Sequence, residues 1–381
     1  MKICLIQTYL PSVINFRGYL LDQLIKEGYK VWVLCPTDNS QKVYEKILID
    51  KGVNFIQLNM ERKSMNFFKE IYLLKQIFYH LKKIEPDKLL AFHPKGLIYT
   101  GIAVNILKIF FRNDKLSYFP CVSGAGTLFD DKRNNLKNII RRIFIISLYK
   151  IGLTKAEKVI FQNDDDIKEF KLTGILRSET KARRIYGSGV SLKDFPPNSI
   201  PKNPNFLMLS RLLYNKGVKE YLEASAIVKK RYPQASFKLA GFHEKNHPSA
   251  INDKLLDFYM KKDYIQFLGH IKNVKKELSL CKFYILPSYR EGTPRSVLEA
   301  MATRRPIITT DVPGCRDTVK NGFNGYIVRP RDSKGLASAM IKLIEQTDEE
   351  TERMALNSYK LVESLYDVNK VNKDIIAILN S

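Results

Sequence analysis

The sequence predicts an α/β protein of two doubly wound, Rossmann-like parallel-sheet domains facing each other across a cleft, and three observations lead there. Its 381 residues exceed what one small core needs and suit two domains. Short β-rich apolar runs alternate along it with longer amphipathic stretches, the rhythm of parallel α/β units. Near the middle stands Phe195-Pro196-Pro197-Asn198-Ser199-Ile200-Pro201-Lys202-Asn203-Pro204, whose prolines can continue neither a helix nor a central strand.

In the first half, strands are expected at Ile3–Ile6, Val31–Cys35, Phe55–Leu58, Leu89–Phe92, Ser117–Val122 and Val159–Gln162. In the second half they are expected at Phe206–Leu209, Phe237–Ala240, Gln266–Leu268, Phe283–Leu286, Ile307–Thr310 and Gly325–Val328. Most are apolar along their length, as strands covered by helices on both faces should be. From Asp348 to Ser381 the apolar positions Met354, Leu361, Leu365, Val371 and Ile375 recur at helical spacing. The expected division is therefore a first domain over 1–195, a proline-rich linker over 196–204 and a second domain over 205–360. A terminal helix over 361–381 is expected to pack back on the first domain. No internal repeat or low-complexity tract interrupts this pattern.

A 45% hydrophobic share with 27% charged residues fits a folded globular chain. The charge is lopsided: 63 basic against 39 acidic residues leave a net +24. Nucleic acid, an anionic membrane surface or a phosphorylated substrate would each suit that excess. Nucleic acid is the weakest fit, because no nucleic-acid motif is present and the positive charge is spread over both halves. The cysteines Cys4, Cys35, Cys121, Cys281 and Cys315 are scattered without a CxxC pair. They read as reduced thiols and argue against a disulfide framework or a structural zinc. Met1 to Ile6 lacks the long apolar region and cleavage site of a signal peptide. No run reaches the ~18 apolar residues of a membrane span; Leu97 to Phe111 comes nearest and is broken by Asn105 and Lys108. The expected location is cytoplasmic, on a membrane surface without crossing it.

The chemistry concentrates in Leu286-Pro287-Ser288-Tyr289-Arg290-Glu291-Gly292-Thr293-Pro294-Arg295-Ser296-Val297-Leu298-Glu299-Ala300. A strand ends at Pro287, a loop follows and a helix begins, with Thr293 suited to the N-cap and Pro294 to the first helical position. Glu291 then lies in the loop and Glu299 in the helix's second turn. Backbone N–H groups at Gly292, Thr293, Arg295 and Ser296, with the helix dipole, would favour a phosphate there. The two carboxylates would bracket a diphosphate and accept hydrogen bonds from hydroxyls on either side. The spacing alone equally describes two solvated glutamates around an ordinary helix cap. Its context decides: Arg211 and Lys216 follow the strand Phe206–Leu209, and Gly241 follows Phe237–Ala240. Ligands bind open parallel sheets at such strand ends, and Gly241 permits close backbone approach.

These residues resemble the retaining glycosyltransferases of the GT-B fold, in the large family numbered four. Glu291 and Glu299 match its E-x7-E motif, Arg211 and Lys216 its R-(x)4-K pair, and Gly187-Ser188-Gly189-Val190 its glycine-rich GxGV segment. Within the family the chain is most similar to bacterial enzymes that extend an undecaprenyl-diphosphate-linked sugar, N-acetylgalactosaminyltransferases of glycan and surface-polysaccharide assembly. That likeness lies in Ile14-Asn15-Phe16-Arg17, Ala91-Phe92-His93-Pro94-Lys95, Ser123-Gly124-Ala125-Gly126 and Leu213 to Glu220. Ser123 departs from the carboxylate those relatives tend to carry, which bears on the acceptor.

The resemblance implies transfer of a sugar, N-acetylhexosamine by preference, from a UDP-sugar to a lipid-linked saccharide at the inner face of the bacterial membrane. A UDP-hexose donor, or a catalytically dead sugar-nucleotide-binding scaffold, are the alternatives. Arg211 and Lys216 would steady the departing diphosphate, aided by backbone N–H groups from Gly292 through Ser296, with Gly241 and Pro294 shaping the donor site. By resemblance Glu299 binds the donor ribose, Glu291 binds the transferred sugar, and His93 lies close to that sugar. A histidine merely capping the next helix is the bland alternative for His93. The acceptor side would involve Asn15 and Arg17, in the turn from Pro11 to Arg17, together with Lys95, Gly124 and Gly126. No cofactor or metal is implied. Asp164-Asp165-Asp166 formally contains the D-x-D spacing of manganese-dependent transferases, but acidic residues opening the helical run Ile167–Leu172 are better read as dipole partners.

Two stretches mix cations with apolar residues. Lys132 to Lys155 contains no acid, and Lys137, Arg141, Arg142 and Lys150 alternate with Ile139, Ile140, Ile143, Phe144 and Ile146. Lys63 to Lys83 carries Phe67, Phe68, Ile71, Leu74, Ile77 and Phe78. Such helices can lie in the headgroup region of an anionic bilayer, or pack their apolar faces on the sheet and leave the cations solvated.

Overall fold

The computed structural model describes residues 1–61, 66–124, 136–176 and 178–381. They form two compact units, one of Met1–Ser188 with Val371–Ser381 and the other of Gly189–Lys370.

The first unit alternates strands and helices. They are β1 (Lys2–Ile6), α1 (Leu10–Lys26), β2 (Lys30–Cys35), α2 (Lys42–Asp50), β3 (Asn54–Gln57), α3 (Phe67–Ile84) and β4 (Lys88–Phe92). There follow α4 (Pro94–Phe110), β5 (Ser117–Val122), α5 (Leu136–Gly152), β6 (Val159–Phe161), α6 (Asp164–Leu172) and β7 (Ala182–Arg184). The strands pair in parallel in the order β3-β2-β1-β4-β5-β6-β7. Alternate residues feed the two faces: Cys4 and Ile6 join a core under α3, α4 and α5, while Ile3 and Leu5 join one under α1.

Three expectations change here. The stretch Pro11 to Arg17 is helix rather than turn, because a proline in the first helical turn costs no internal hydrogen bond. Leu10, Val13, Leu20, Leu21 and Leu24 then bury one face. The strand β7 was not expected, since Ala182-Arg183-Arg184 has no apolar run; an edge strand needs only backbone pairing, here to β6. In α6 the N-cap is Asn163, whose side chain accepts from Asp166 N, and all three aspartates occupy the first turn.

The second unit contains β8 (Asn205–Leu209), α7 (Val218–Arg231), β9 (Ser236–Ala240), α8 (Asp253–Lys261), β10 (Gln266–Phe267), α9 (Val274–Leu280) and β11 (Phe283–Leu286). It continues with α10 (Arg295–Ala302), β12 (Ile307–Thr310), β13 (Gly325–Val328), α11 (Ser333–Ile344) and α12 (Asp348–Leu361), and α13 (Val368–Leu379) closes the chain. Its parallel sheet runs β10-β9-β8-β11-β12-β13. Connection order reverses at β8, so the loops after β8 and β11 leave neighbouring strands in the middle of the sheet, where ligands bind in doubly wound folds.

The passage between units falls at Ser188/Gly189 rather than after residue 195. Residues 196–204 lie on the second unit because its cations capture their carbonyls: Arg305 Nη2 donates to Ser199 O at 3.0 Å and Lys282 Nζ to Lys202 O at 3.3 Å. The continuous helix expected from Asp348 to Ser381 is two helices. A wider π-type turn over Val362–Tyr366 leads to Asp367, which leaves helical geometry at ψ 129° and pairs in parallel with Val190. Beyond that break, Val371, Ile375, Ile376, Ile378 and Leu379 belong to the first unit's core.

Candidate active site

In the second unit the strand-end loops bring Lys216 and Glu291 together. Lys216 closes a tight helical turn, Tyr214–Lys216, between β8 and α7, while Glu291 lies in the loop from β11 to α10. The Nζ of Lys216 is 2.5 Å from Oε1 of Glu291, and both side chains are less than one-fifth exposed. Ser288 Oγ donates to the same carboxylate oxygen at 2.8 Å. Partial burial makes this a stronger pairing than a surface ion pair, because water screens it less.

Backbone contacts hold the two loops in place. Asn215 O accepts from Tyr289 N at 2.9 Å and lies 3.2 Å from Ser288 Oγ. Glu291 N donates to Pro313 O at 3.1 Å, which brings in the turn after β12. Gly314 in that turn has φ 76°, and a β-carbon there would lie 2.2 Å from Gly292 O and 2.5 Å from Glu291 O. Only glycine fits that approach. Gly241 does the same beyond β9: a β-carbon would lie 1.7 Å from Ser210 O, next to Arg211.

The helix that bears Glu299 starts one residue later than expected. Pro294, not Thr293, is the N-cap, with ψ 108°, and its carbonyl accepts from Val297 N at 3.0 Å and Leu298 N at 3.3 Å. A proline brings no N–H to the cap, and its extended ψ turns its carbonyl along the helix axis. Arg295 and Ser296 therefore open the first turn, with Gly292 and Thr293 in the loop before it. Glu299 accepts from Arg295 Nε at 3.1 Å, both side chains being about 15% exposed. Burial holds the Glu299 carboxyl above the usual glutamate range, partly offset by the Arg295 guanidinium.

Arg211 takes a different partner. Its Nη1 lies 3.6 Å from Glu244 Oε1, in the loop after β9, and its side chain is 45% exposed. Of the two expected cations, Lys216 is the one joined to Glu291. Cys315 is buried in the turn beside Gly314, where burial pushes its thiol up to about 12, so it carries no reactive thiolate.

In the first unit His93 follows β4 and is the N-cap residue of α4. Its imidazole does not cap the helix, contrary to the bland alternative, and its backbone has φ 62° and ψ 152°. A side chain in that region stores about 1–3 kcal/mol of strain. Asn15 is exposed on α1, while Arg17 is buried with its guanidinium 4.3 Å from the centre of the Phe92 ring. Lys95 pairs with Glu70 at 2.5 Å and donates to Glu61 O at 2.7 Å. Gly124 has φ 106° after β5, and Gly126 lies outside the described residues. Asp164, of the D-x-D spacing, pairs with Arg184. Among the described residues no group of three His, Cys, Asp or Glu side chains could hold a metal ion.

Sequence reasoning singled out neither Ser288, Tyr289 and Asn215 nor Gly314. Only Val312-Pro313-Gly314, a turn signal after a strand, hinted at the last of these.

The chain matches the family described as Glycosyl transferases group 1 over residues 191–361 and the family described as Glycosyl transferase 4-like over residues 2–163. It is 29% identical to the N,N'-diacetylbacillosaminyl-diphospho-undecaprenol alpha-1,3-N-acetylgalactosaminyltransferase of Campylobacter jejuni, across 96% of this chain and 93% of that protein. It is 27% identical to the UDP-Gal:alpha-D-GlcNAc-diphosphoundecaprenol alpha-1,3-galactosyltransferase of Escherichia coli, across 92% and 89%. Anabaena HepE, solved in complex with UDP-glucose, shares the fold with a TM-score of 0.76 at 19% identity, covering 100% of this chain and 99% of the other.

Proposed function

We propose that this chain, which belongs to the GT-B glycosyltransferases of family 4, transfers an N-acetylhexosamine from its UDP-sugar to a hydroxyl of an undecaprenyl-diphosphate-linked saccharide, with retention of configuration. The observation that carries the reading is the Lys216–Glu291 pair at the middle strand ends of the second unit. The likeness to the Campylobacter jejuni enzyme along nearly the whole chain supports the choice of sugar and acceptor.

In the transition state an oxocarbenium-like sugar separates from a departing diphosphate. The Lys216 ammonium has three N–H groups, one of them on Glu291, and is held where that negative charge grows. A fixed, half-buried cation stabilises such charge more than the ground state, which is what lowers the barrier. The first turn of α10 adds the positive end of a helix, and Arg211, the more exposed cation, flanks it. Glu291 turns to the hydroxyls of the transferred sugar, and Glu299 to the donor ribose. These protein cations do the work a divalent metal does elsewhere.

Membrane attachment runs through α5. Its first half exposes Leu136, Ile139, Ile140, Ile143 and Phe144 beside Arg141 and Arg142. From Leu136 to Gly152 it carries no acid. Its second half packs: Tyr149 is buried, with Ile145, Ile146 and Leu148 against the core. Among the described residues no helix is long and apolar enough to cross a membrane. An anionic bilayer on the inner face of the bacterial membrane, where the lipid-linked acceptor resides, matches this mixed surface.

The test is to incubate the protein with UDP- and GDP-sugars and synthetic polyprenyl-diphosphate saccharides, then determine product mass and anomer. A product heavier by one N-acetylhexosamine, of the donor's anomeric configuration, is expected. An inverted product, or transfer only to acceptors without the lipid diphosphate, would overturn the reading. The similarity to the E. coli galactosyltransferase makes UDP-hexose the second reading, which the same panel separates.

A further inference from the structure

Besides the contacts of Ser288 and Tyr289 with Asn215 O, two pairings between side chains join the loop after β11 to the segment that opens α7, and one of them is the Lys216–Glu291 pair. The other is Tyr289, two residues before Glu291, whose phenol donates to Oε1 of Glu220 at 2.6 Å. Glu220 stands in the first turn of α7, four residues after Lys216, and is 6% exposed. A carboxylate there is favoured by the helix dipole. Its second oxygen, Oε2, is buried without a hydrogen-bond partner, so the phenol supplies a bond that offsets the cost of burying this charge. On its other side Tyr289 meets Arg331, which stands just before the N-cap Asp332 of α11 and places its guanidinium 4.7 Å from the ring centre. One tyrosine side chain thus links the loop after β11 to the first turn of α7 and to the loop after β13.

The two ties differ in what happens when a donor arrives. A diphosphate beside the Lys216–Glu291 pair would be a second anion that competes with Glu291 for the ammonium. The donor in the Tyr289–Glu220 bond is a neutral phenol rather than an ammonium, with the Arg331 guanidinium against the ring. We infer that Tyr289 is a positioning residue, holding the Glu291 loop against α7 so that Glu291 stays beside Lys216 when the diphosphate loosens their ion pair. Burial, reinforced by Glu220, keeps the phenol protonated and therefore a donor across the working pH range. The inference rests on the donor-site reading given above.

The experiment starts with calorimetric titration of UDP into the intact chain. Absence of UDP binding would overturn the donor-site reading and the positioning role with it. With binding established, Tyr289→Phe and Glu220→Gln are compared in steady-state transfer. The expected result is a kcat about tenfold lower in each, the loss set by a hydrogen bond to a buried charge. The donor KM should change by less than about threefold, since the loss falls on geometry during reaction rather than on ground-state binding. The double variant should be no worse than the poorer single, because Tyr289→Phe removes the donor and Glu220→Gln the acceptor's charge from one and the same bond. If Glu220→Gln does not fold, Glu220→Asp, which draws the carboxylate back from the phenol, takes its place in the same cycle with Tyr289→Phe. A wild-type kcat in Tyr289→Phe, or losses that multiply in the double variant, would overturn the positioning role and leave the donor site standing.

Discussion

Lys216 and Glu291, 75 positions apart in the chain, meet with Nζ 2.5 Å from Oε1. The contact joins the loops after two neighbouring strands of one sheet, and each charge neutralises the other. The cation is thereby ordered in advance, and in the reaction proposed above a diphosphate would replace one anionic partner rather than recruit a loose lysine from solvent. Such preorganisation is what electrostatic catalysis requires.

Deleting either member should separate binding from chemistry. Lys216→Ala is expected to lower transfer about 100- to 1,000-fold, the effect of removing one preorganised stabiliser of developing charge, and to weaken UDP binding strongly. Glu291→Ala should also lower turnover, yet leave UDP affinity equal or higher, because Lys216 loses its competing anion. Calorimetry with UDP beside steady-state kinetics reads both quantities. Near-normal turnover in Lys216→Ala would remove the central assignment.

The buried Glu299 carboxyl predicts a pH dependence. Burial raises its pKa, so it takes up a proton at higher pH than an exposed glutamate, although Arg295 opposes the shift. The ionised form is the one that accepts hydrogen bonds from ribose hydroxyls. UDP affinity should therefore fall as pH drops through this raised pKa. Stability has the opposite sign: this group's contribution is present below the unfolded-state pKa and is lost as pH rises through the folded one. Glu299→Gln should flatten the affinity profile, and an unchanged profile in that variant would assign the titration elsewhere.

Two glycines of similar backbone provide a matched test of the loop contact. Gly314 and Gly322 have φ of 76° and 75°, but a β-carbon at Gly322 meets nothing within 4 Å. Gly322→Ala should cost only the left-handed strain, about 1–2 kcal/mol, with transfer intact. Gly314→Ala adds the collision with Gly292 O and Glu291 O and should also displace the Glu291 loop, reducing UDP binding. Thermal midpoints and UDP titrations of the two variants make the comparison, and equal UDP affinity in both would refute it.

Membrane attachment should depend on charge and apolar surface separately. Arg141→Glu with Arg142→Glu should weaken binding to anionic vesicles by about 1 kcal/mol or more per charge. Ile140→Ser with Ile143→Ser should weaken it at every salt concentration. Co-sedimentation with anionic and neutral vesicles across ionic strength distinguishes the terms. Binding insensitive to salt would eliminate the electrostatic part.

Chelation probes the metal. Transfer is expected to persist in EDTA and in Asp164→Asn, since the D-x-D spacing opens α6 and Asp164 pairs with Arg184. Loss of activity on chelation, restored by manganese, would require a different account of the diphosphate's charge.

Much of this protein is legible in its sequence for one reason: strands covered on both faces must be apolar along their length, and helices between them must be amphipathic. That rule located the apolar strands and placed Arg211, Lys216, Gly241 and Glu291 after strand ends. It failed where apolar burial does not set the structure. The edge strand β7 pairs through its backbone alone, Pro11 sits harmlessly in a first helical turn, and residues 196–204 are fixed by the distant Arg305 and Lys282. The periodicity from Asp348 to Ser381 likewise carries no mark of the break at Asp367, which comes from pairing with Val190.

The tertiary structure alone decided which charge faces which. Composition and motif made Arg211 and Lys216 equivalent candidates; packing gave Lys216 to Glu291 and Arg211 to Glu244. It also tied Tyr289 to Glu220 and pressed Gly314 against Gly292. Backbone and side-chain periodicities are local and repeat every few residues, so the chain itself displays them. Partners separated by dozens of positions are chosen by how parallel strands order in a sheet, and that order is a property of the whole packed unit.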